Sequence, residues 1–324
     1  MKKNHSLKAI VEVIRQNKSF MLLPHVNIDG DDLGCMTALS QALQKLGKQV
    51  YLYSQDKIPE IFSFLSGLPE IKKCLPSKKV DVLIFMECSK ASRAGDDLNL
   101  NKIAGTTINF DHHPDNNFFA DFNLVKPEYA ALGELIYELI RGLKLPIDEN
   151  MATGLYTSII SDTGNLQYGN ISRKTFQILA DLMKLPIKVS EISRQVFRQK
   201  DFQVLKLFGQ LASKLQRTSD GLIVWASLTK TMLDGSGLKP EDLQNFVEDL
   251  NQVAGSEVVI LFKEVAPQEI RVNFRSRRFP VNRIAAQFGG GGHINASGCT
   301  ISQDLKSTEK LILETLENQL TVLA

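Results

Sequence analysis

The chain has 324 residues, with 43% apolar and 23% charged side chains and a formal net charge of +2. That length exceeds what one core usually needs, so two domains are expected, and the composition is that of an ordinary soluble globular protein. The near-neutral balance excludes a generic nucleic-acid binder working through a global basic field, so any anionic partner must be held by local positive charge.

Four cysteines, Cys35, Cys74, Cys88 and Cys299, are scattered without a CxxC pair. This argues against a disulfide framework or a structural zinc site, and for a reducing cytoplasm. The first segment, "MKKNHSLKAIVEVIRQNKSF", is basic, but its apolar residues recur at helical spacing with Glu12 and Arg15 between them. It lacks the continuous apolar centre of a signal peptide. No stretch approaches the ~20 apolar residues of a membrane span, so a cytoplasmic protein with no membrane partner is expected.

Along the first half, "SFMLLPH" (19–25), "KQVYLYS" (48–54), "VDVLIFMECS" (80–89) and "GTTINFDHH" (105–113) read as buried strands. Between the first two, "DLGCMTALSQALQKLG" repeats apolar residues every three or four positions, and Gly47 suits a helix C-cap. Strands separated by such helices indicate an α/β domain with a parallel sheet covered on both faces. "LGELIYELIRGL" and "NMATGLYTSIISDTG" read as two further helices. After about residue 187, "VSEISRQVF" and "DFQVLKLFGQLASKLQ" form a helical connector. Strands "LIVWASL", "EVVILFKEV" and "EIRVNFRS", a short helix "VNRIAAQF" and a last helix over 304–321 make a second, smaller α/β unit. The expected division is therefore 1–187, a connector at 188–217, and 218–324.

Polar residues recur where these strands end. The first run leads into "HVNIDGDDLG" with His25, Asp29 and Asp31; the third ends at Glu87; the fourth ends at Asp111, His112 and His113. In a parallel sheet the carboxyl ends of all strands share one edge, where ligands bind. These residues should converge there, with Asp162, delivered by a helix, capping them. Neighbouring side chains on a strand point to opposite faces, so His112 and His113 converge only if the chain has turned into a loop. Singly, each residue has a plain explanation: a surface His, turn formers and a helix cap at Asp29 and Asp31, a solvated Glu87, a turn at Asp162. Their common edge argues otherwise. Carboxylates crowded together repel and stay protonated unless a cation neutralises them. Imidazole and carboxylate without thiolate suit manganese, magnesium, iron or zinc. The ligand number matches two divalent ions ~3.5–4 Å apart sharing a carboxylate, an arrangement that polarises a phosphoryl group and activates water.

"HVNIDGDDLG", the acid of the third run, "DHH" and "SDTG" resemble, in order and approximate spacing over residues 20–170, the four motifs of the DHH phosphoesterase superfamily. The resemblance implies a two-metal phosphodiesterase or phosphatase. The positions matching His25 and Asp29 would hold one manganese ion, those matching Asp31, His112 and Asp162 the other, and the third-strand acid would bridge them. It also implies that His113 faces the substrate phosphate and that Asp111 orients the His pair from behind. The two rings would then look away from each other, one toward metal and one toward phosphate.

The bridging acid of the family is usually Asp, whereas this chain has Glu87. Asp81 lies ~20 Å back along an extended strand, and Asp96 and Asp97 follow only after Arg93 and Gly95. Glu87 is the best candidate, with an extra methylene that loosens the geometry.

Near the C-terminus, "GGGGHINASG" (289–298) reads as a loop whose Cβ-free backbone lets N–H groups approach a phosphate, with His293 as a further donor. Upstream, "RVNFRSRRFPVNR" holds five Arg and no acid. Its strand alternates Ile270, Val272 and Phe274 with Arg271, Asn273 and Arg275, which buries one face and gathers positive charge on the other. Arg binds a phosphate bidentately, as Lys cannot. The pair resembles the DHH-associated C-terminal domain, implying that Arg275, Ser276, Gly290, Gly291, Gly292 and His293 hold substrate.

The whole chain looks most like the nanoRNase/pAp phosphatase branch, which acts on very short oligonucleotides, dinucleotides and 3′-phosphoadenosine 5′-phosphate. No extra module for long nucleic acid is evident, and a homodimer is left open. A manganese pyrophosphatase or polyphosphatase shares the first four motifs, but the Gly-His stretch argues against it. A non-catalytic nucleotide sensor is encouraged only by Glu87.

Overall fold

The computed structural model describes residues 3–320 apart from 74, 77, 96–99, 240–242, 244 and 245. Cys74, Asp96 and Asp97 thus lie outside the described residues. The chain forms two compact units, Met1–Gln199 and Lys200–Ala324.

In chain order the first unit contains α1 (Leu7–Gln16), β1 (Ser19–Leu23), α2 (Gly30–Lys45), β2 (Gln49–Tyr53), β3 (Ile71–Lys72), β4 (Val80–Met86) and α3 (Leu100–Ile103). It continues with β5 (Ala104–Asp111), β6 (Phe122–Val125), α4 (Leu132–Gly142), α5 (Glu149–Asp162), α6 (Arg173–Leu182) and α7 (Val189–Ser193). The sheet order is β3-β2-β1-β4-β5-β6, and every pair is parallel. The four strands expected from the sequence form its centre. The runs stop earlier than expected: β1 at Leu23, before Pro24; β4 at Met86; and β5 at Asp111, before either His.

Both faces of the sheet are covered, which is why its strands read as continuous apolar runs. Phe20, Leu22, Val82, Ile84, Ile108 and Phe110 pack with residues of α2, α4 and α5, while Met21, Leu23, Leu83 and Phe85 fill the opposite face. The strand order reverses between β1 and β4, and a crevice at the carboxyl ends of that pair is where such sheets bind ligands. Helices α2 and α5 approach backbone to backbone. A Cβ on Gly34 would lie 2.3 Å from the Gly154 carbonyl oxygen, and one on Gly154 would lie 2.6 Å from that of Gly34.

The second unit contains α8 (Phe202–Ala212), β7 (Gln216–Arg217), β8 (Ile223–Leu228), α9 (Lys230–Ser236), α10 (Phe246–Leu250) and β9 (Val258–Ala266). It ends with β10 (Glu269–Ser276), α11 (Val281–Gln287), β11 (Gly291–His293), β12 (Ala296–Ile301) and α12 (Leu305–Leu320). The sheet order is β11-β12-β10-β9-β8-β7; β8 and β9 run parallel and the other pairs antiparallel. Both units are α/β. Of the segment expected as a connector, α7 falls in the first unit and α8 in the second. The Gly-rich stretch expected as a loop is instead one arm of a hairpin, with Gly291, Gly292 and His293 paired to Gly298, Ser297 and Ala296.

Candidate metal centre

Two residues after β1, His25 is 6% exposed and its Nδ1–H donates to the Val26 carbonyl at 2.8 Å. Its Nε2 then faces Asp32 Oδ2 at 3.1 Å and Asp29 Oδ2 at 3.8 Å. Asp56 fixes this loop by accepting the amides of Asn27 (2.6 Å) and Ile28 (3.0 Å). Asp29 caps α2, accepting the amides of Asp31 (2.9 Å) and Asp32 (3.2 Å) on Oδ1. The positive end of the helix favours carboxylates in this first turn. Asp31 is buried, with Oδ1 taking the Ser158 hydroxyl at 2.5 Å and Oδ2 the Leu132 amide at 2.8 Å. Side chains from α2 and α5 and a backbone amide of α4 therefore meet at one carboxylate.

Glu87 follows β4 directly and adopts φ +57°, a left-handed conformation that costs a non-Gly residue about 1–2 kcal/mol. Its amide donates to the Phe110 carbonyl at 2.8 Å, and its side chain is 3% exposed. His112 donates from Nδ1 to the Tyr129 carbonyl at 3.2 Å. Its Nε2 lies 3.5 Å from Glu87 Oε1, 3.5 Å from Asp162 Oδ2 and 3.8 Å from Asp31 Oδ2. Asp162 is the last residue of α5.

These side chains fall into two sets whose ligand atoms all lie within 4.8 Å of one another: His25, Asp29, Asp32 and Glu87, and Asp31, Glu87, His112 and Asp162. Glu87 belongs to both. All six residues singled out from the sequence for metal are therefore brought together, and Asp32 joins them unforeseen. His113 forms a third grouping with Glu87 and His112. The His112 and His113 rings do not look away from each other: their centroids are 5.0 Å apart and tilted by 60°. The cause is the turn after Asp111, which takes both residues off the strand. Asp111 accepts from His113 Nδ1 but touches His112 only at its backbone amide, so it orients one ring and not the pair.

Burial, and then the charges of neighbouring carboxylates, push the Asp32 and Glu87 carboxyls well above the usual range, and burial raises Asp31 against the charge of His112. Burial and then the charge of Asp31 take Asp162 to about 7. Burial opposes protonation of His112, but the Glu87 hydrogen bond and the surrounding carboxylates outweigh it and raise its pKa well above the ordinary value. Burial lowers that of His25. A divalent cation among these groups reverses their preference for protons. The donor set fits such an ion. Glu87 Oε2 and both Asp32 oxygens are buried without hydrogen-bond partners, and the ligand atoms are imidazole nitrogen and carboxylate oxygen, which hard or borderline divalent ions prefer. Neither Cys35 nor Cys88 belongs to these ligand sets, and burial raises the pKa of both thiols.

In the second unit, Ile270, Val272 and Phe274 are buried as the alternation requires. On the other face Lys263 stands opposite Arg271, and its pKa is lowered by burial and then by Arg271 and Arg275. Arg275 donates to Glu248 and, at 2.9 Å, to the Phe274 carbonyl. Ser276 is buried; its hydroxyl donates to the Phe279 carbonyl at 2.5 Å and accepts from the Asn295 side chain at 3.1 Å. Since Asn295 sits in the turn between β11 and β12, the Arg-Ser step is tied to the Gly-His hairpin. Gly290 is required by close approach, because a Cβ there would lie 2.1 Å from the Gly298 carbonyl oxygen.

Residues 19–159 match the model of the DHH family, N-terminal domain, and residues 223–321 that of the DHHA1 domain. The bifunctional oligoribonuclease and PAP phosphatase NrnA of Thermus thermophilus is 29% identical, over 97% of this chain and 94% of that protein. The protein of the same name from Bacillus subtilis is 26% identical, over 90% and 92%. An exopolyphosphatase-related protein from Bacteroides fragilis shares the fold, with a TM-score of 0.91 and 24% identity over 98% of this chain and 97% of that one. No helix among the described residues is long and apolar enough to cross a membrane. The chain thus carries a DHH N-terminal domain followed by a DHHA1 domain, and it is similar to such relatives over nearly its full length.

Proposed function

We propose that this DHH-domain protein is a manganese-dependent, cytoplasmic phosphohydrolase acting on very short oligonucleotides and dinucleotides, and on 3′-phosphoadenosine 5′-phosphate. The observation that carries this reading is the pair of ligand sets joined through Glu87. In this reading His25 and Asp29 hold one divalent ion, Asp31, His112 and Asp162 hold the second, and Glu87 serves both. The bound ions supply Lewis acidity toward the phosphoryl group and an activated water.

The chain's own residues do the rest. His113, its ring held through Nδ1 by Asp111, faces the reacting phosphate, and the Asp111 contact keeps the ring oriented toward it. Residues 1–187 carry this centre, 188–217 link it onward, and 218–324 bind substrate. There, Arg275, Ser276, Gly290, Gly291, Gly292 and His293 bind substrate, supported by the positive charge gathered along β10. The names of the Thermus and Bacillus relatives support the substrate class.

The test is a length series of 5′-phosphorylated RNA and DNA from the dinucleotide upward, with 3′-phosphoadenosine 5′-phosphate and pyrophosphate alongside, in manganese, magnesium and cobalt. Manganese-dependent release of mononucleotide from the shortest members is expected. Hydrolysis of pyrophosphate alone would point to a pyrophosphatase instead, and nucleotide binding without turnover in any metal to a sensor.

A further inference from the structure

We propose that Asp32 is a direct ligand of the cation held by His25 and Asp29, making the first metal position a three-carboxylate, one-imidazole site. This deepens the metal-dependent reading above and rests on it.

Three observations carry it. Neither Asp32 oxygen makes a hydrogen bond, although the residue is 0% exposed. Two other buried acids nearby are treated differently: Asp31 receives the Ser158 hydroxyl and the Leu132 amide, and Asp111 receives two amides and the His113 ring. A buried carboxylate left without donors is strongly disfavoured unless a cation takes their place.

The second observation is the contact with His25. The Val26 carbonyl can only accept, so the Nδ1 facing it at 2.8 Å carries the hydrogen, and neutral His25 presents a lone pair at Nε2. That lone pair meets Asp32 Oδ2 at 3.1 Å. With both groups deprotonated, as metal ligands are, these atoms would repel at that separation, whereas ~3.0 Å is the spacing of adjacent ligands held at roughly 2.1 Å by one cation. The third observation is positional. Asp29 Oδ1 caps the amides of both Asp31 and Asp32, so one turn sets both acids. Successive helical residues point about 100° apart, and Asp31 and Asp32 accordingly fall into different ligand sets. The added carboxylate favours oxygen-seeking ions such as manganese or magnesium at this position.

Full-length wild-type protein, Asp32→Ala and Asp32→Asn would each be titrated with manganese by calorimetry, with the free ion followed by electron paramagnetic resonance. Each would also be melted in chelator and in manganese. Two bound ions are expected in the wild type. In both variants one ion should weaken at least about tenfold while the other changes little. The variants should melt higher than wild type in chelator, because a buried charge is gone, yet gain less from manganese. Unchanged affinity for both ions would overturn the proposal. So would an equal loss of stability in chelator and in manganese, which would make Asp32 a structural partner of His25. Wild-type protein that takes up no ion would instead overturn the metal-dependent reading itself.

Discussion

Asp111 Oδ1 lies 2.8 Å from His113 Nδ1, and the same oxygen accepts the amides of His112 at 2.8 Å and His113 at 3.1 Å. The second oxygen takes the Asn116 side-chain amide. One buried carboxylate therefore shapes the turn after β5 and aims the His113 ring. Burial alone would raise its pKa, but the His113 hydrogen bond and charge outweigh burial and hold it below the usual range. Asp111→Ala should lose about 2–4 kcal/mol in urea unfolding. Turnover should fall about 100-fold with little change in ion uptake. Unaltered turnover would mean that the ring's orientation does not matter.

Glu87→Gln keeps the shape but removes the charge shared by both ligand sets. Both ions should bind more weakly in a manganese titration, and the metal-free protein should melt higher, since Glu87 Oε2 is buried without a partner. Loss of one ion only would show that Glu87 serves a single position.

Gly154 has no room for a methyl group, since its Cβ would press on the Gly34 carbonyl. Gly154→Ala should force α2 and α5 apart at a cost of about 1–3 kcal/mol. Because α2 carries Asp31 and α5 carries Asp162, affinity for the second ion should fall more than affinity for the first. Paired denaturation and metal titration would read both effects.

The hairpin of the second unit supplies an internal control. A Cβ at Gly290 would strike the Gly298 backbone, whereas one at Gly291 would meet nothing within 4 Å. Gly290→Ala should raise KM for a dinucleotide substrate and leave ion uptake intact, while Gly291→Ala should fold with wild-type stability. Equal behaviour of the two variants would remove the argument from close approach.

Asp81 sits at the far end of β4, where its carboxylate accepts the amides of Lys18 and Ser19, each at 2.9 Å. These hydrogen bonds lower its pKa. The folded value lies below the unfolded one, so the stabilisation is complete above the ordinary aspartate range and disappears as pH falls through the lowered value. Asp81→Asn should melt lower than wild type near neutral pH, and the difference should close in acid. A difference independent of pH would assign the effect to something other than the charge.

The central strands and the edge where the chemistry gathers are legible in the residues alone. β1 and β4 were legible because burial on both faces demands near-continuous apolar runs, whereas β2 and β5 are buried throughout only in their later halves. His25, Asp29, Asp31, Glu87, His112 and Asp162 were legible because parallel strands place their ends together. The edge strands β3 and β6, of two and four residues, are too short to show a period. Packing between elements decided that Asp32 joins the first ligand set, since the inward face of the α2 first turn depends on how that helix rolls against α5 at Gly34 and Gly154. It also decided that "GGGGH" leads into a hairpin and that Arg275 has Glu248 beside it. Pattern along a chain records how deeply each residue is buried; which distant residue it then meets depends on packing between elements, for which a single sequence carries no local signal.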